Sequence, residues 1–472
     1  WRDGRFQSLR SEQALSAFDR LLPALLETIA QSDDPARAIT RWERILERAS
    51  SAITLFRLLD AKPALLERLV GALTLAPSLA DELGRRPELL DSLLDFRPLI
   101  FPVAVSDIAE RMENGAARDD YEAQLDCIRR VTGEERLSLG MQLIQGDHPP
   151  QSVAQALCAT AEAGILVAKK AAEAEFARAH GQIAGSELVV LGLGRLGGGV
   201  LTHASDLDMI YLFTGDFSAE SDGRRSLGGT LYFNRLASRV SAALSVPTAQ
   251  GPLYEVDTRL RPQGNQGPLA VSIEAFAKYQ QESAWTWEHM ALLRARVIVG
   301  SDQARAQLAA VMASVLQRER DPADLCRAVL DMRGEIAQHK QARGPLDVKL
   351  MRGGLVDVEF LTHYLQLRDG KALALRAPLA LDPGLGTAID ALIEAGLMPA
   401  EMMDAHDLLT DVLVAGRLLA PGGGEPPSAA SRALARACQR DNYAELTHDI
   451  AVARKCVAAA WCDIFDQPLE TE

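Results

Sequence analysis

The chain of 472 residues carries 64 acidic and 50 basic side chains, a net charge of −14 with neutral histidines. This acidic balance disfavours general nucleic-acid binding, which depends on neutralising phosphates, but it allows a local basic patch around a triphosphate. We see no signal peptide, no apolar run near the roughly 20 residues of a membrane span, no CxxC pair among six cysteines and no HExxH or HxxxH pattern among eight histidines. We therefore predict a cytoplasmic protein without a zinc site and without nucleic-acid or membrane partners.

The first third of the chain is dominated by helical periodicity, which runs from Ser11 to about His180. Asp34 followed by Pro35 is typical of a helix start, and later prolines separate further short amphipathic segments. We predict a compact bundle or a solenoid-like array that serves as a scaffold or docking surface. Because the chain begins with Trp1 rather than Met, we also expect it to be a piece of a longer protein.

A glycine-rich turn separates two apolar runs, Leu188–Leu191 and Met209–Phe213, which we predict to be buried strands. Asp206 and Asp208 begin the second strand, and residues two apart on a strand face the same way. Two carboxylates so placed repel each other, and a divalent cation such as Mg²⁺ or Mn²⁺ neutralises them with oxygen ligands. The glycine turn offers backbone N–H groups to phosphates. The stretch therefore predicts a site for a metal-bound nucleoside triphosphate.

The same turn also matches a dinucleotide-binding pattern. Gly192 to Gly197 fits GxGxxG, and Asp216 follows about 20 residues later, as in that fingerprint. A crossover helix must then fit before the next parallel strand, and only Gly198–Ser205 are available for it. We therefore reject the dinucleotide interpretation.

A third carboxylate follows in the segment Tyr254–Arg259, whose apolar and polar residues alternate as in a strand. Asp257 is the candidate, and Arg259 and Arg261 are candidates to hold phosphate. A solvent-facing edge strand is the alternative for this segment. The helix predicted over Leu227–Ser245 is long enough to cross the sheet and to bring Asp257 beside the two upstream aspartates.

The rest of the chain is predicted to be helical. One helix opens at Trp285 and ends over Leu293–Val297, and helical periodicity continues over Asp321–Asp463. Asp357 and Glu359 cannot share a helix face, so they do not predict a second metal pair. The helix start near Gly354 is a candidate to face the nucleotide.

Four motifs in this order resemble the glutamine synthetase adenylyltransferase family: GLGRLGG with SDLD, YEVDTRLRPQGNQGPLA, AWTWEHMALLRARV and KLMRGGLVDVEF. The resemblance covers Gly192 to Leu367, with a looser match from about Ser11, and it places the chain in the nucleotidyltransferase superfamily of the DNA polymerase β type. Family members carry two such halves in tandem, of which the N-terminal half removes AMP from glutamine synthetase and the C-terminal half adds it. The AWTWEHMAL and YEVD versions resemble the C-terminal, adenylylating half.

The resemblance implies transfer of AMP from ATP to a tyrosine hydroxyl of glutamine synthetase, with release of pyrophosphate. It implies two Mg²⁺ ions, with Mn²⁺ as an alternative, and regulation by the PII signalling protein and by glutamine. It assigns catalysis and metal binding to Asp206, Asp208 and Asp257. The nucleotide-binding candidates are Gly194, Arg195, Gly197, Gly198 and Ser205, together with Arg259 and Arg261.

The sequence departs from the family pattern at Val200, where an acidic residue is usual, and at Thr258, where Met is common. The three aspartates are unaffected by these changes. Two alternatives stay open: the deadenylylating half of the same enzyme, and a regulatory helical scaffold with a degenerate nucleotide site, which the intact aspartates disfavour. The expected fold is mostly α with a small α/β core. It comprises a helical N-terminal region (1–105), a nucleotidyltransferase sheet with flanking helices (106–315) and a C-terminal helical bundle (316–472).

Overall fold

A computed structural model describes residues 1, 6–32, 34–49, 52–90, 103–117, 120–216 and 218–469. The chain is 67% helical with a small mixed sheet of five strands, which confirms the predicted mostly α fold with a small α/β core. Across these ranges no helix has the length and apolarity needed to cross a bilayer. The predicted division at residues 105 and 315 stays a prediction.

The helices of the described residues pack in chain order around the sheet. Their bounds are α1 (Glu12–Gln31), α2 (Pro35–Arg48), α3 (Ile53–Ala61), α4 (Pro63–Leu75), α5 (Pro77–Arg85), α6 (Val105–Asn114), α7 (Tyr121–Gln145), α8 (Pro150–His180), α9 (Gly194–Gly197), α10 (Gly229–Ser245), α11 (Ile273–Glu282), α12 (Thr286–Leu292), α13 (Asp302–Leu316), α14 (Pro322–His339), α15 (Leu355–Arg376), α16 (Leu385–Glu394), α17 (Glu401–Leu419), α18 (Ser428–Ala437) and α19 (Tyr443–Phe465).

The first five helices form a bundle around fully buried aromatic side chains, including Phe18, Trp42 and Phe56. Local signals set the helix starts. The Asp34 carboxylate accepts a hydrogen bond from the Arg37 backbone N–H at 3.0 Å, and Pro35 occupies the first helical position of α2. The predicted helix start at this pair is therefore confirmed, and it satisfies a backbone donor that the helix cannot pair internally.

The sheet contains β1 (Leu188–Gly192), β2 (Leu207–Phe213), β3 (Val256–Asp257), β4 (Ala270–Ser272) and β5 (Arg296–Val299). The strand order is β3-β2-β1-β5, and β4 also pairs with β2. β1 is antiparallel to both β2 and β5, whereas β2 is parallel to β3 and β4. Because a dinucleotide-binding unit joins parallel strands through a crossover helix, the antiparallel pairing of β1 with β2 confirms the rejection of that interpretation.

Two sequence predictions about strands need correction. The predicted strand Tyr254–Arg259 shrinks to Val256–Asp257, because the chain turns immediately afterwards and the Arg261 N–H bonds the Thr258 carbonyl at 3.2 Å. The helix expected to end over Leu293–Val297 stops earlier, as α12, and residues from Arg296 onward form β5. Pairing with the central strand β1 explains this outcome, since local periodicity carries no information about such distant partners.

The helix α10 begins two residues later than predicted and packs against β1, β3 and β4. It returns the chain to the sheet edge where β3 pairs with the start of β2. In that pairing Leu207 lies opposite Val256 and Asp208 opposite Asp257. Opposite residues on paired strands project to the same face, so the register brings two of the predicted carboxylates together.

Candidate active site

The glycine turn begins directly after β1 and is fixed to the aspartate strand. The Leu193 N–H donates to the Asp208 carbonyl at 2.9 Å. Gly194 has φ +52°, and a Cβ there would lie 2.5 Å from Asp208 Oδ2. A side chain at position 194 would therefore be strained and would collide with the carboxylate, so this position needs glycine.

The next two glycines allow a second close approach, between the turn and the segment leading into β5. A Cβ at Gly197 would lie 1.8 Å from the backbone carbonyl oxygen of Arg294. A Cβ at Gly198 would lie 2.5 Å from Arg294 Nη2. The sequence predicted that these glycines contact a nucleotide, and the structure shows that they also admit an arginine that the sequence interpretation overlooked.

Ser205 precedes the aspartates and holds the turn that delivers them. Its hydroxyl accepts a hydrogen bond from the Thr202 N–H at 3.0 Å and lies 3.0 Å from the Thr202 hydroxyl. These bonds close a tight local turn immediately before Asp206. Ser205 therefore supports the position of the aspartates, and its direct contact with a nucleotide stays a prediction.

The three predicted carboxylates converge. Asp206, Asp208 and Asp257 each offer an oxygen that lies within 4.8 Å of the oxygens of the other two. Asp206 is exposed, and the other two are partly buried. Glu255, which strand alternation placed on the same face as Asp257, is exposed and lies outside this cluster.

The cluster is electrostatically unfavourable without a cation. Within the described ranges, neither Asp206 nor Asp208 accepts a hydrogen bond. Burial raises the pKa of Asp208 to about 6, the charges of Asp206 and Asp257 add to the rise, and Lys349 and Arg294 oppose it. Uncompensated carboxylates of this kind provide the oxygen ligands that a hard divalent cation prefers, so the residues fit a metal site.

Asp257 differs from the other two because it has a cationic partner. Arg259 Nε lies 3.0 Å from its Oδ1 and 2.9 Å from its Oδ2, and the Arg259 backbone N–H donates to Oδ1 at 2.9 Å. These bonds hold the pKa of Asp257 below its usual value. Arg261 instead donates to the Thr258 carbonyl at 2.9 Å and to the Thr258 hydroxyl at 3.1 Å. Both arginines thus have protein partners, and their predicted contact with phosphate is untested.

A cavity of about 430 Å³ adjoins the glycine turn on the side of the C-terminal helices. Arg195, one of the predicted nucleotide-binding residues, lines it together with Arg294, Glu359 and Leu355, the first residue of α15. The predicted helix start near Gly354 therefore lies at this cavity. None of the three aspartates lines it, so the cavity and the carboxylate cluster are neighbouring parts of one region.

Cations that sequence reasoning missed surround this region. Arg294 pairs with Glu359 at 2.7 Å, and Lys349 is a partly buried lysine whose pKa is lowered by burial and then by Arg195. Burial lowers the pKa of Arg195 to about 10, and the charge of Glu359 opposes the change. Arg294 and Lys349 lie in the AWTWEHMALLRARV and KLMRGGLVDVEF motifs, but nothing in their local spacing indicates a shared site.

The acidic pair Asp357 and Glu359 behaves as the helix geometry predicts. Asp357 is fully buried and pairs with Arg333 at 2.5 Å, whereas Glu359 pairs with Arg294. The two carboxylates therefore have different partners and do not converge on one point.

Comparison with known proteins adds a family. Residues 66–311 match the sequence model of the glutamate-ammonia ligase adenylyltransferase family. A bifunctional glutamine synthetase adenylyltransferase/adenylyl-removing enzyme of Agrobacterium fabrum is 38% identical over 453 residues, which cover 93% of this chain and 45% of that protein. The similarly named enzyme of Xanthobacter autotrophicus is 37% identical over 487 residues, 100% of this chain and 48% of that protein. The chain spans about half the length of the curated relatives it matches.

Proposed function

The chain belongs to the glutamate-ammonia ligase adenylyltransferase family, and we propose that it transfers AMP from ATP to a tyrosine hydroxyl of glutamine synthetase. Pyrophosphate is the second product. The observation that carries the proposal is the convergence of Asp206, Asp208 and Asp257 beside the glycine turn. A scaffold with a degenerate nucleotide site has no reason to keep three uncompensated acids together, because their mutual repulsion destabilises the fold.

We propose that these three carboxylates hold Mg²⁺, with two ions the expected number and Mn²⁺ an alternative. When bound, the metal supplies positive charge that stabilises the attacking and leaving oxygens of an in-line phosphoryl displacement. The carboxylate oxygens suit this role because Asp206 and Asp208 have no competing hydrogen-bond donor among the described residues.

The side chains of the site then have separate tasks. The tyrosine oxygen forms a bond to the α-phosphorus of ATP while the bond to pyrophosphate breaks, and the tyrosine proton leaves. A free tyrosine has a pKa near 10, so transfer at neutral pH needs an acceptor for that proton. Asp257 is our candidate, because its lowered pKa keeps it ionised. Arg195, Gly194, Gly197 and Gly198 bind and orient the triphosphate in this proposal, with Ser205 supporting the turn and Arg259 and Arg261 available at its rim.

The family resemblance extends the proposal to regulation. We propose the PII signalling protein and glutamine as regulators, and the cytoplasm as the compartment of the reaction, without assigning any residue of this chain to either regulator.

The test uses the chain itself. Incubation with ATP, Mg²⁺ and unmodified glutamine synthetase should add one AMP per modified subunit, which intact-protein mass spectrometry detects and peptide sequencing assigns to a tyrosine. The Asp208→Asn variant is the matched control and should give no adduct. Absence of any adduct with the unmutated chain, at a range of Mg²⁺ and ATP concentrations, contradicts the proposal.

Adenylyl removal is the second candidate, since the relatives are named for both activities. We assign addition to this chain because its AWTWEHMAL and YEVD motifs resemble the adenylylating half. The assay above, run in parallel on adenylylated glutamine synthetase, distinguishes the two. Efficient loss of AMP from the modified enzyme together with no addition to the unmodified one would assign this chain to the opposite reaction.

A further inference from the structure

Arg294 lies at the cavity with part of its hydrogen-bonding capacity unused. Its side chain is only 8% exposed, and Nη1 donates to Glu359 Oε1 at 2.7 Å. Its Nε is buried and has no hydrogen-bond partner among the described residues. A buried guanidinium N–H without an acceptor is costly, so such groups are usually paired. An unpaired one at the wall of a cavity indicates that an acceptor arrives from outside the protein.

The position of this guanidinium relative to the metal-site candidates follows from the short helix α9. The Gly198 N–H bonds the Gly194 carbonyl at 3.0 Å, so these two residues are one helical turn apart and face the same side. The Cβ direction of Gly194 points at Asp208, and that of Gly198 points at Arg294. The carboxylate and the guanidinium therefore lie along one face of the turn, separated by about 6 Å, the spacing of such neighbours.

The opposite wall of the cavity is the first turn of α16. Leu385, Gly386 and Thr387 line it, and no side chain caps this helix. The Gly384 N–H is taken by the Asp382 carboxylate at 2.7 Å. The N–H groups of a first helical turn have no partner within the helix, and together with the helix dipole they favour an anion.

We propose that Arg294 and the first turn of α16 bind the β- and γ-phosphates of the nucleotide, while the α-phosphate lies at the aspartate cluster. The inference rests on the proposed function, because it takes the ligand to be the ATP of that reaction. A polyphosphate is the one part of ATP that combines negative charge with sufficient length to extend from Asp208 to Arg294. Glu359 acts as a positioning residue, since its pairing with Arg294 fixes the guanidinium against Gly198.

This assignment makes the site selective for triphosphate over monophosphate. AMP has no β- and γ-phosphate, so its binding should be insensitive to Arg294. Pyrophosphate carries the same two phosphates and should compete with ATP for the same place. A free anion that bound independently of the nucleotide would use the same chemistry, and competition separates the two sources.

Isothermal titration calorimetry with Mg²⁺ and α,β-methylene ATP, AMP or pyrophosphate tests the proposal without glutamine synthetase. Arg294→Gln should weaken the binding of α,β-methylene ATP and of pyrophosphate by about tenfold or more, as expected for a charged hydrogen bond, and should change AMP binding by less than about twofold. Arg294→Lys keeps the charge but loses the planar fork, so it should lie in between. Arg327→Gln removes an exposed arginine on α14 and is the matched control with unmutated affinities.

The outcomes are separable. Equal losses for α,β-methylene ATP and AMP, or unchanged binding of α,β-methylene ATP, would overturn the inference, and so would simultaneous binding of pyrophosphate and α,β-methylene ATP. If circular dichroism shows that Arg294→Gln does not fold, Arg294→Lys decides by the same comparison. Arg294-dependent triphosphate binding in a chain that never modifies glutamine synthetase would refute only the proposed function. AMP transfer with triphosphate binding independent of Arg294 would refute only this inference.

Discussion

The chain contains two acidic motifs of the same spacing, and they have opposite fates. Asp206 and Asp208 lie at the start of a strand, where residues two apart face the same way, and they converge with a third acid. Asp357 and Glu359 lie in the first turns of α15, where residues two apart point in different directions. The backbone that carries two carboxylates therefore decides whether they can share one ligand.

Hydrogen-bond donors complete the contrast. Asp357 is fully buried, yet it accepts bonds from Arg333 Nε at 2.5 Å, from Arg333 Nη2 at 3.2 Å and from the Gly353 N–H at 2.7 Å. Among the described residues Asp208 accepts none, and burial raises its pKa to about 6. A buried acid that is fully paired stabilises the fold, whereas a partly buried acid without donors is available to a cation.

The largest expected effect is the loss of catalysis at the strand motif. Asp208→Asn, and likewise Asp206→Asn, should lower AMP transfer at least about 100-fold, because several kcal/mol of metal-derived stabilisation disappear. The melting temperature without metal should stay the same or rise, since like-charge repulsion is removed. Circular dichroism melts with and without Mg²⁺ check this, and the stabilisation by Mg²⁺ should vanish in the variants. Asp216→Asn, at an exposed acid outside the cluster, is the control. Near-normal transfer by either variant would contradict the assignment.

The helix motif should respond in the opposite way. Asp357→Asn leaves the buried Arg333 without its counter-charge and should lower the free energy of unfolding by about 3 kcal/mol or more. Urea titration measures this change. AMP transfer per folded molecule should fall far less than in Asp208→Asn. If Asp357→Asn lost activity without losing stability, the two motifs would not differ as described.

The smallest expected effect concerns Asp411, a third carboxylate with a raised pKa but outside the metal cluster. Burial raises the pKa of Asp411 to about 7, and one of its oxygens is buried without a partner among the described residues. The unfolded value is near 3.9, so the folded chain binds more protons between these pKa values, and stability should fall as pH rises from about 4 to about 7 and then level off. Asp411→Asn should reduce that slope by up to about 1.4 kcal/mol per pH unit. Urea titrations at several pH values test this, and Mg²⁺ should stabilise the variant as much as the parent.

The features that the sequence predicted correctly are those with strong local signals. Apolar runs beside glycines indicated β1 and β2, strand periodicity placed Asp206 and Asp208 on one face, and proline after Asp34 marked a helix start. The convergence of Asp257 followed from topology, since a helix of the right length lies between the two strands.

The parts that the sequence did not predict depend on distant partners. Strand β5 resembles the end of a helix until β1 pairs with it. The approach of the Arg294 carbonyl to Gly197 joins residues nearly 100 positions apart, and no local pattern encodes it. The same holds for the first turn of α16 at the cavity, whose function depends on the opposite wall rather than on its own sequence.

The helix α8 has a consequence for how the chain is made. It spans 31 residues and packs against α6, α7, α10, β5 and α17. Glu401, the first residue of α17, follows His180, the last residue of α8, by 221 positions. At a synthesis rate of about 5–20 residues per second, the surface of α8 that α17 covers waits roughly 10–45 s for its partner on the ribosome. During that interval the nascent chain exposes a surface that the finished protein hides, so we expect chaperones to bind it before α17 emerges.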